Sequence, residues 1–318
     1  MQLDRLHALH VGRPRWLDHG YSPGTSGVGN GFISFSVAPN TTGVPRAGAI
    51  VVQGEITLIL QGSGPPAGTP VISVGGIANA ASYAAGGPPN GLAQGSFFSI
   101  FGTNLGPDPY QKAGYPLPAS LGNVTVQIIA GGNTYNAYLV FVSSVQINGL
   151  IPSNVPLGNA QITVTFNGLT SAPASVLISK TSFGAFFQQV GGNNVAVAQN
   201  VASATNYPLN LASSPAMPNQ IVILWGTGLG ALNGPDNVAP GNNAADMTNV
   251  PVTITVGGLP AQRLYAGRQA QSSAVDNIYF TLPANPPLGC NIPVAVTAGG
   301  VPANTTTIAI SADGSPCK

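Results

Sequence analysis

The chain has 318 residues, enough for two or three domains of ordinary size, and only 5% of them are charged, against roughly 25% in typical soluble proteins. Its net charge is +1, with neither a basic stripe nor an acidic run, which excludes nucleic-acid binding by phosphate neutralisation and a polybasic membrane patch. A membrane-spanning segment is excluded too, because Gly, Pro, Asn, Ser or Thr interrupts every hydrophobic run within about eight residues, whereas a spanning helix needs roughly 20. Residues 1–15 carry charges but no apolar core of a secretory signal, and read as an unstructured lead or a miscalled start, with the true N-terminus missing. Residues 16–62 read as a partial β segment. Phe32–Val37 alternates, a turn occupies Asn40–Pro45, and Gly48–Gln53 with Glu55–Leu60 make a hairpin about Gly54. Residues 63–70 are a Gly/Pro linker.

From Val71 onward the chain repeats itself. FFSIFGTNLG at Phe97–Gly106 returns as IVILWGTGLG at Ile221–Gly230, and each is followed by a Gly-Pro-Asp loop ending at Asp108 or Asp236. VTVQI at Val124–Ile128 returns as VTITV at Val252–Val256, and each leads to a Gly-Gly turn, Gly131-Gly132 and Gly257-Gly258. Ile147–Gly158 pairs with Ile278–Gly289, Gln161–Phe166 with Ile292–Thr297, and Ala174–Ser179 with Thr306–Ser311. Strands of 5–7 residues bounded by turns, with no sustained helical periodicity, predict an all-β fold: tandem Ig-like β-sandwiches over residues 71–180 and 181–318.

Residues 63–318 contain no histidine, so a Ser-His-Asp or Cys-His site cannot be built in the repeats. His7 and His10 fall short of a zinc site's ligand count. Carboxylates are few: Asp108, Asp236, Asp246, Asp276 and Asp313 in the repeats, with Glu55 the only glutamate. The chain is therefore expected not to be an enzyme, and no cofactor is indicated. Asp108 and Asp236 stand at equivalent places near Asn and carbonyl oxygens and are the candidates for Ca²⁺, but one carboxylate per loop is thin for that ion. A turn-forming Asp after Pro is the plainer reading. Tyr110, Tyr115 and Tyr207 lie in loops and are candidates for stacking on sugar rings, against the plainer reading of scattered surface residues. Trp225, inside an apolar strand where the first repeat has Phe101, is expected in the core, as is Trp16 in the partial domain. Cys290 and Cys317 are expected to form a disulfide contributing about 3 kcal/mol in the chain-entropy model; two free thiols in a reducing compartment are the alternative.

Asn79–Tyr83 (NAASY), Phe101–Gly106 (FGTNLG), Gln146-Ile147-Asn148 followed by Pro152, Gly226–Gly230 (GTGLG) and Val250–Gly267 together resemble a known family. So do Leu288-Gly289-Cys290 and Cys317. The family is the uncharacterised C-terminal domain of large exported acidobacterial (Solibacter-type) proteins, and the resemblance covers about three-quarters of the chain. It implies Ig-like, IPT-like sandwiches in an exported protein and assigns no reaction. Gly267–Asp276 departs from the family's pattern, which leaves the role of that loop open. Trp16-Leu17, Gly29-Asn30-Gly31, Phe32–Asn40 and Arg46–Gln61 resemble the end of a BACON domain, a secreted β-sandwich suspected of carbohydrate binding, without its opening strands. The expectation is a non-catalytic extracellular or cell-surface module of a larger protein, acting in spacing, adhesion or interaction with neighbouring domains. A carbohydrate-binding module that takes glycans as partners is the alternative.

Overall fold

The computed structural model describes residues 17–19, 35–37, 45–52, 55–61, 68–241 and 246–317. Among these no α-helix forms, and none is therefore long and apolar enough to cross a membrane. The chain divides into two units, residues 1–69 and 70–318. In the first unit, Leu17–His19 pairs antiparallel with Phe35–Val37, and Arg46–Val52 with Glu55–Gln61 in a hairpin whose last register pair is Val52↔Glu55. Leu58 and Leu60 stand exposed on that hairpin. Trp16, the 1–15 lead and most of the linker lie outside the described residues.

The second unit is two β-sandwiches in tandem. In the first, one sheet runs in the order Asn133–Asn136, Val124–Ala130, Gly158–Phe166, Ala174–Ser179, Leu92–Ala93. The facing sheet runs Val71–Asn79, Phe97–Thr103, Gln146–Leu150, Tyr138–Val142, Gln111–Lys112. Alternation sets the inner face: Val124, Val126 and Ile128 from one sheet meet Phe98, Ile100, Ile147 and Leu139 from the other. The second sandwich repeats the central strands of this plan and differs at its edges, where Phe187–Val190 is added and no strand among the described residues answers to Gln111–Lys112, and in one central strand. Its Leu259–Arg268 strand is long enough to pair with Val252–Val256 at one end and with Asp276–Thr281 at the other, so it passes from sheet to sheet around a bulge between Arg263 and Tyr265. In the first sandwich the same path is broken at Ala137 into two strands.

The repeat is visible in the register. Ile100 opposes Ile147 in the first sandwich, and Leu224 opposes Ile278 in the second. Ala130↔Asn133 and Val256↔Leu259 both close around the Gly-Gly pairs, whose φ angles of 56° and 78°, and 57° and 83°, are those a two-residue hairpin loop demands and a Cβ would strain. Cys290 and Cys317 are bonded, with Cα atoms 5.5 Å apart, tying the C-terminal segment back onto the second sandwich.

Each sandwich has its own buried cluster, one ending at Ile178 and the next beginning at Phe183. Between them is a closely fitted joint. Thr227 Oγ1 accepts the Phe97 N–H at 2.9 Å and donates to the Ala274 carbonyl at 2.6 Å. Asn79 Nδ2 donates to the Ser182 carbonyl at 3.0 Å, and the Leu117 N–H reaches the Asn237 carbonyl at 2.7 Å. Leu117 and Leu150 pack with Ala274 as a small cluster of their own. The approach is so close that a Cβ on Gly184 would lie 2.6 Å from Asn79 Oδ1 and 2.8 Å from Ser82 Cβ. Behind the joint lies a buried ion pair. Asp276 Oδ1 accepts from Arg268 Nε at 2.8 Å, while its Oδ2 accepts the Gly228 and Leu229 N–H groups, both at 2.8 Å. The same guanidinium donates to the carbonyls of Ser273 and Gly230. One charge pair thus shapes both loops, Gly226–Gly230 and 269–275, that meet the first sandwich. The loop within Gly267–Asp276 is part of the joint.

Candidate functional site

The carboxylates of the sandwiches are mostly committed to structure. Both oxygens of Asp236 hold Ser153 across the joint, at 2.8 Å from its N–H and 2.5 Å from its hydroxyl. Asp108, the repeat equivalent, is exposed on the other end of the first sandwich. Among the described residues no three His, Cys, Asp or Glu side chains gather where a metal could sit, around Asp108, Asp236 or elsewhere. Asp246 forms a two-pronged pair with Arg263, at 3.0 and 2.5 Å, and accepts the Ala266 N–H at 2.9 Å. Desolvation pushes its carboxyl upward, but the Arg263 and Ala266 hydrogen bonds outweigh this and hold it below the usual carboxylate range. Asp313 is lowered by the Ser315 hydroxyl and N–H in its own exposed turn. Two open grooves, of about 480 and 440 Å³, are lined by residues such as Ile129, Gln161 and Val176, and Asn90, Lys180 and Val250. Neither lining includes a carboxylate or an imidazole.

The three loop tyrosines part company. Tyr115 belongs to the joint: its hydroxyl is 3.0 Å from Ser272 Oγ and accepts the Ser273 N–H at 3.0 Å. Tyr110 lies over Phe141 of the first sandwich, ring centroids 5.2 Å apart, with Lys112 Nζ 5.4 Å from its ring. Tyr207 lies beside a broader array on the second sandwich.

That array is built by alternation. In Ile221–Thr227 the side chains of Val222 and Leu224 enter the core, which turns Ile223 and Trp225 to the outer face. In Asp276–Thr281, Ile278 and Phe280 point in while Asn277 and Tyr279 point out. Register sets Trp225 opposite Asn277, and Tyr279 opposite both Ile223 and Tyr265. Tyr265 meets Tyr279 edge-on at 5.4 Å and donates its hydroxyl to the Arg268 carbonyl at 2.8 Å. Gln199 joins the sheet to the neighbouring loop: its Oε1 accepts Trp225 Nε1–H at 3.0 Å, and its Nε2 donates to the Tyr207 carbonyl at 2.9 Å. The loop is held from beneath by buried amides. Asn210 Nδ2 donates to Asn200 Oδ1 and to the Ala309 carbonyl, and its Oδ1 accepts the Ala309 N–H. Asn277 is buried beside Trp225, and its Nδ2 finds no hydrogen-bond partner among the described residues.

Trp225 is therefore not a core residue as its apolar strand predicts. It is half-buried on the outer face, because a strand with apolar residues on both sides gives no sign of which side is inward. Burial raises the Tyr265 and Tyr279 hydroxyls above the ordinary phenol value, Asp246 adding to the first shift and Tyr207 to the second. Sequence reasoning missed Tyr265, Tyr279 and Gln199. The polar–apolar alternation of Asn277-Ile278-Tyr279-Phe280 carried a signal for the second of these.

No protein-family model matches the chain, and no curated protein matches it. Among solved structures it is similar to the mixed-linkage glucan utilization locus protein SGBP-B of Bacteroides ovatus in complex with a mixed-linkage heptasaccharide. The match has 16% identity over 88% of this chain and 56% of that one, with a TM-score of 0.34. An auxiliary nutrient binding protein of Bacteroides ovatus matches at 12% identity over 42% of this chain and 32% of its own, TM-score 0.17. Titin tandem Ig domains match at 8% identity over 70% and 91%, TM-score 0.19. At such identities and scores, function has to be argued from the residues themselves.

Proposed function

We propose that the chain is a non-catalytic, exported module that binds a neutral β-linked glucan on the outer face of its second sandwich, its two sandwiches forming the spacer that carries this face. The observation that carries the reading is the array of Trp225, Tyr265 and Tyr279, linked through Gln199 to the loop of Tyr207. Aromatic rings offer apolar faces to the C–H groups of a pyranose, and amides both donate to and accept from its hydroxyls. No side chain of the array is charged, and Asp246 and Arg263 at its edge are paired with each other. The rings are half-buried on the outer sheet face beside the buried Ile223 and Asn277, and they line neither groove. What they offer is a shallow edge of rings and amides suited to a flat, ribbon-like chain, of which β-1,4-glucan is the plainest example. The Cys290–Cys317 bond supports export, since such bonds persist in oxidising compartments.

A glycan array probed with the full chain tests this. Neutral β-glucans are expected to bind, with affinity falling at least about tenfold in Trp225→Ala. Tyr207→Ala, at an exposed loop site, gives a second reading in a variant that keeps its fold. An array on which the wild-type chain binds no β-glucan overturns the proposal.

A further inference from the structure

Because the two sandwiches are copies, every position of the outer face on the second has a counterpart on the first, and strand register identifies it. Counting from the equivalent core pairs Ile100↔Ile147 and Leu224↔Ile278, Phe101 stands where Trp225 stands, Gln146 where Asn277 stands and Asn148 where Tyr279 stands. Phe141 takes the place of Tyr265: each opposes the last-named position, Asn148 or Tyr279, and each lies just past a bulge. The flanking rings are kept, and the middle strand changes: Trp225 and Tyr265 flank Asn277 and Tyr279, while Phe101 and Phe141 flank the two amides Gln146 and Asn148. The flanking rings stand on the outer strands of a three-strand stretch and so about 10 Å apart at two strand spacings.

Each phenylalanine is topped by a more exposed ring. Tyr83, 56% exposed, lies 6.2 Å from Phe101, and Tyr110, 57% exposed, lies 5.2 Å from Phe141. Between them Gln146 Nε2 donates to Asn148 Oδ1 at 2.9 Å, and that oxygen also accepts from Ser99 Oγ at 3.0 Å, which fixes both amides. Tyr83 is itself set in place with φ at 56°, a left-handed conformation that a tyrosine seldom adopts. Its ring also meets Phe187 of the second sandwich edge-on at 6.2 Å. The main part of the joint covers the other end of this sheet, where Phe97, Leu150, Tyr138 and Val140 pack around Leu117 and Ala274, and the Tyr83–Phe187 contact is its edge at this end.

We infer that the first sandwich carries a second glucan-binding face made by Tyr83, Phe101, Phe141 and Tyr110 with Gln146 and Asn148, so that the module holds one polymer at two places. This rests on the reading of the second sandwich given above. Titration calorimetry of the full chain with cellohexaose separates the two claims. Two equivalents are expected for the wild type, one for Trp225→Ala, one for Tyr83→Ala/Tyr110→Ala and none for the triple variant. With a long soluble β-glucan such as hydroxyethyl cellulose, the loss of either face is expected to weaken binding by about 100-fold through lost avidity. One equivalent in the wild type, abolished by Trp225→Ala and untouched by Tyr83→Ala/Tyr110→Ala, overturns the second face and leaves the first standing. One equivalent that survives Trp225→Ala but is lost in Tyr83→Ala/Tyr110→Ala overturns the face on the second sandwich alone, and one that survives both variants, or no binding of cellohexaose at all, overturns both.

Discussion

The same loop closes the same end of each sandwich, but different groups hold it. In the first, the backbone does so: the Gly102 N–H reaches the Val145 carbonyl at 3.1 Å and the Leu105 N–H reaches that of Ser144 at 3.0 Å. In the second, the position equivalent to Val145 is Asp276, whose carboxylate takes over the loop's N–H groups and pairs with Arg268. Val145 is 59% exposed, whereas the side chains of Asp276 and Arg268 are 0% and 1% exposed. The difference follows the joint. An end that faces solvent can rely on carbonyls and a stray valine, but an end pressed against another domain must fix two loops at once. A carboxylate with two lone-pair directions per oxygen, answered by a guanidinium with five donors, can do that.

The strongest way to break this comparison is Asp276→Ala, which leaves the Arg268 charge buried without its partner and is expected to cost about 3–5 kcal/mol in denaturant unfolding. Val145→Ala, at the equivalent site of the first sandwich, is expected to stay within about 0.5 kcal/mol, as surface substitutions do. Equal losses from the two would show that the ends are not distinguished by docking. The next contrast is between the equivalent threonines. Thr227→Val removes an acceptor and a donor from the joint and is expected to cost about 1–3 kcal/mol, while Thr103→Val, at an exposed site, is expected to cost almost nothing. The smallest effect sharpens the contrast between the two faces. Tyr265 and Tyr279 have folded-state values raised by burial, so the stability they contribute is complete below the ordinary phenol range and is lost as pH rises through the raised values. Their counterparts Phe141 and Asn148 do not titrate. Alkaline unfolding should therefore loosen the second sandwich before the first, and Tyr265→Phe/Tyr279→Phe should remove that order, as read by hydrogen exchange of the two sheets.

Much of the fold was legible because local chemistry determines it. Gly131-Gly132 and Gly257-Gly258 can hardly be anything but hairpin turns, and the strands between turns alternate or run apolar as sandwich strands must. The disulfide was legible from two cysteines in a low-charge chain. The joint was not, since its contacts link residues far apart in the chain, such as Tyr115 with Ser273 and Asn79 with Ser182, and pairs of that kind leave no periodic trace. Gly267–Asp276 read only as a loop of open purpose, because the Arg268–Asp276 pair that shapes it acts on a distant loop, Gly228–Leu229. The aromatic face lay half in view: Tyr207 stood out in its loop, while Trp225 was hidden among aliphatic neighbours whose side of the sheet no composition reveals.

The passage from Ile178 to Phe183 has a consequence of its own. With so few residues separating one core from the next, the two bodies remain at a high effective concentration for each other even when every contact between them is broken. A parted joint thus recloses as a unimolecular event, independent of how dilute the protein is. Wear on individual contacts would show first as a faster rate of opening, well before it appeared as separation.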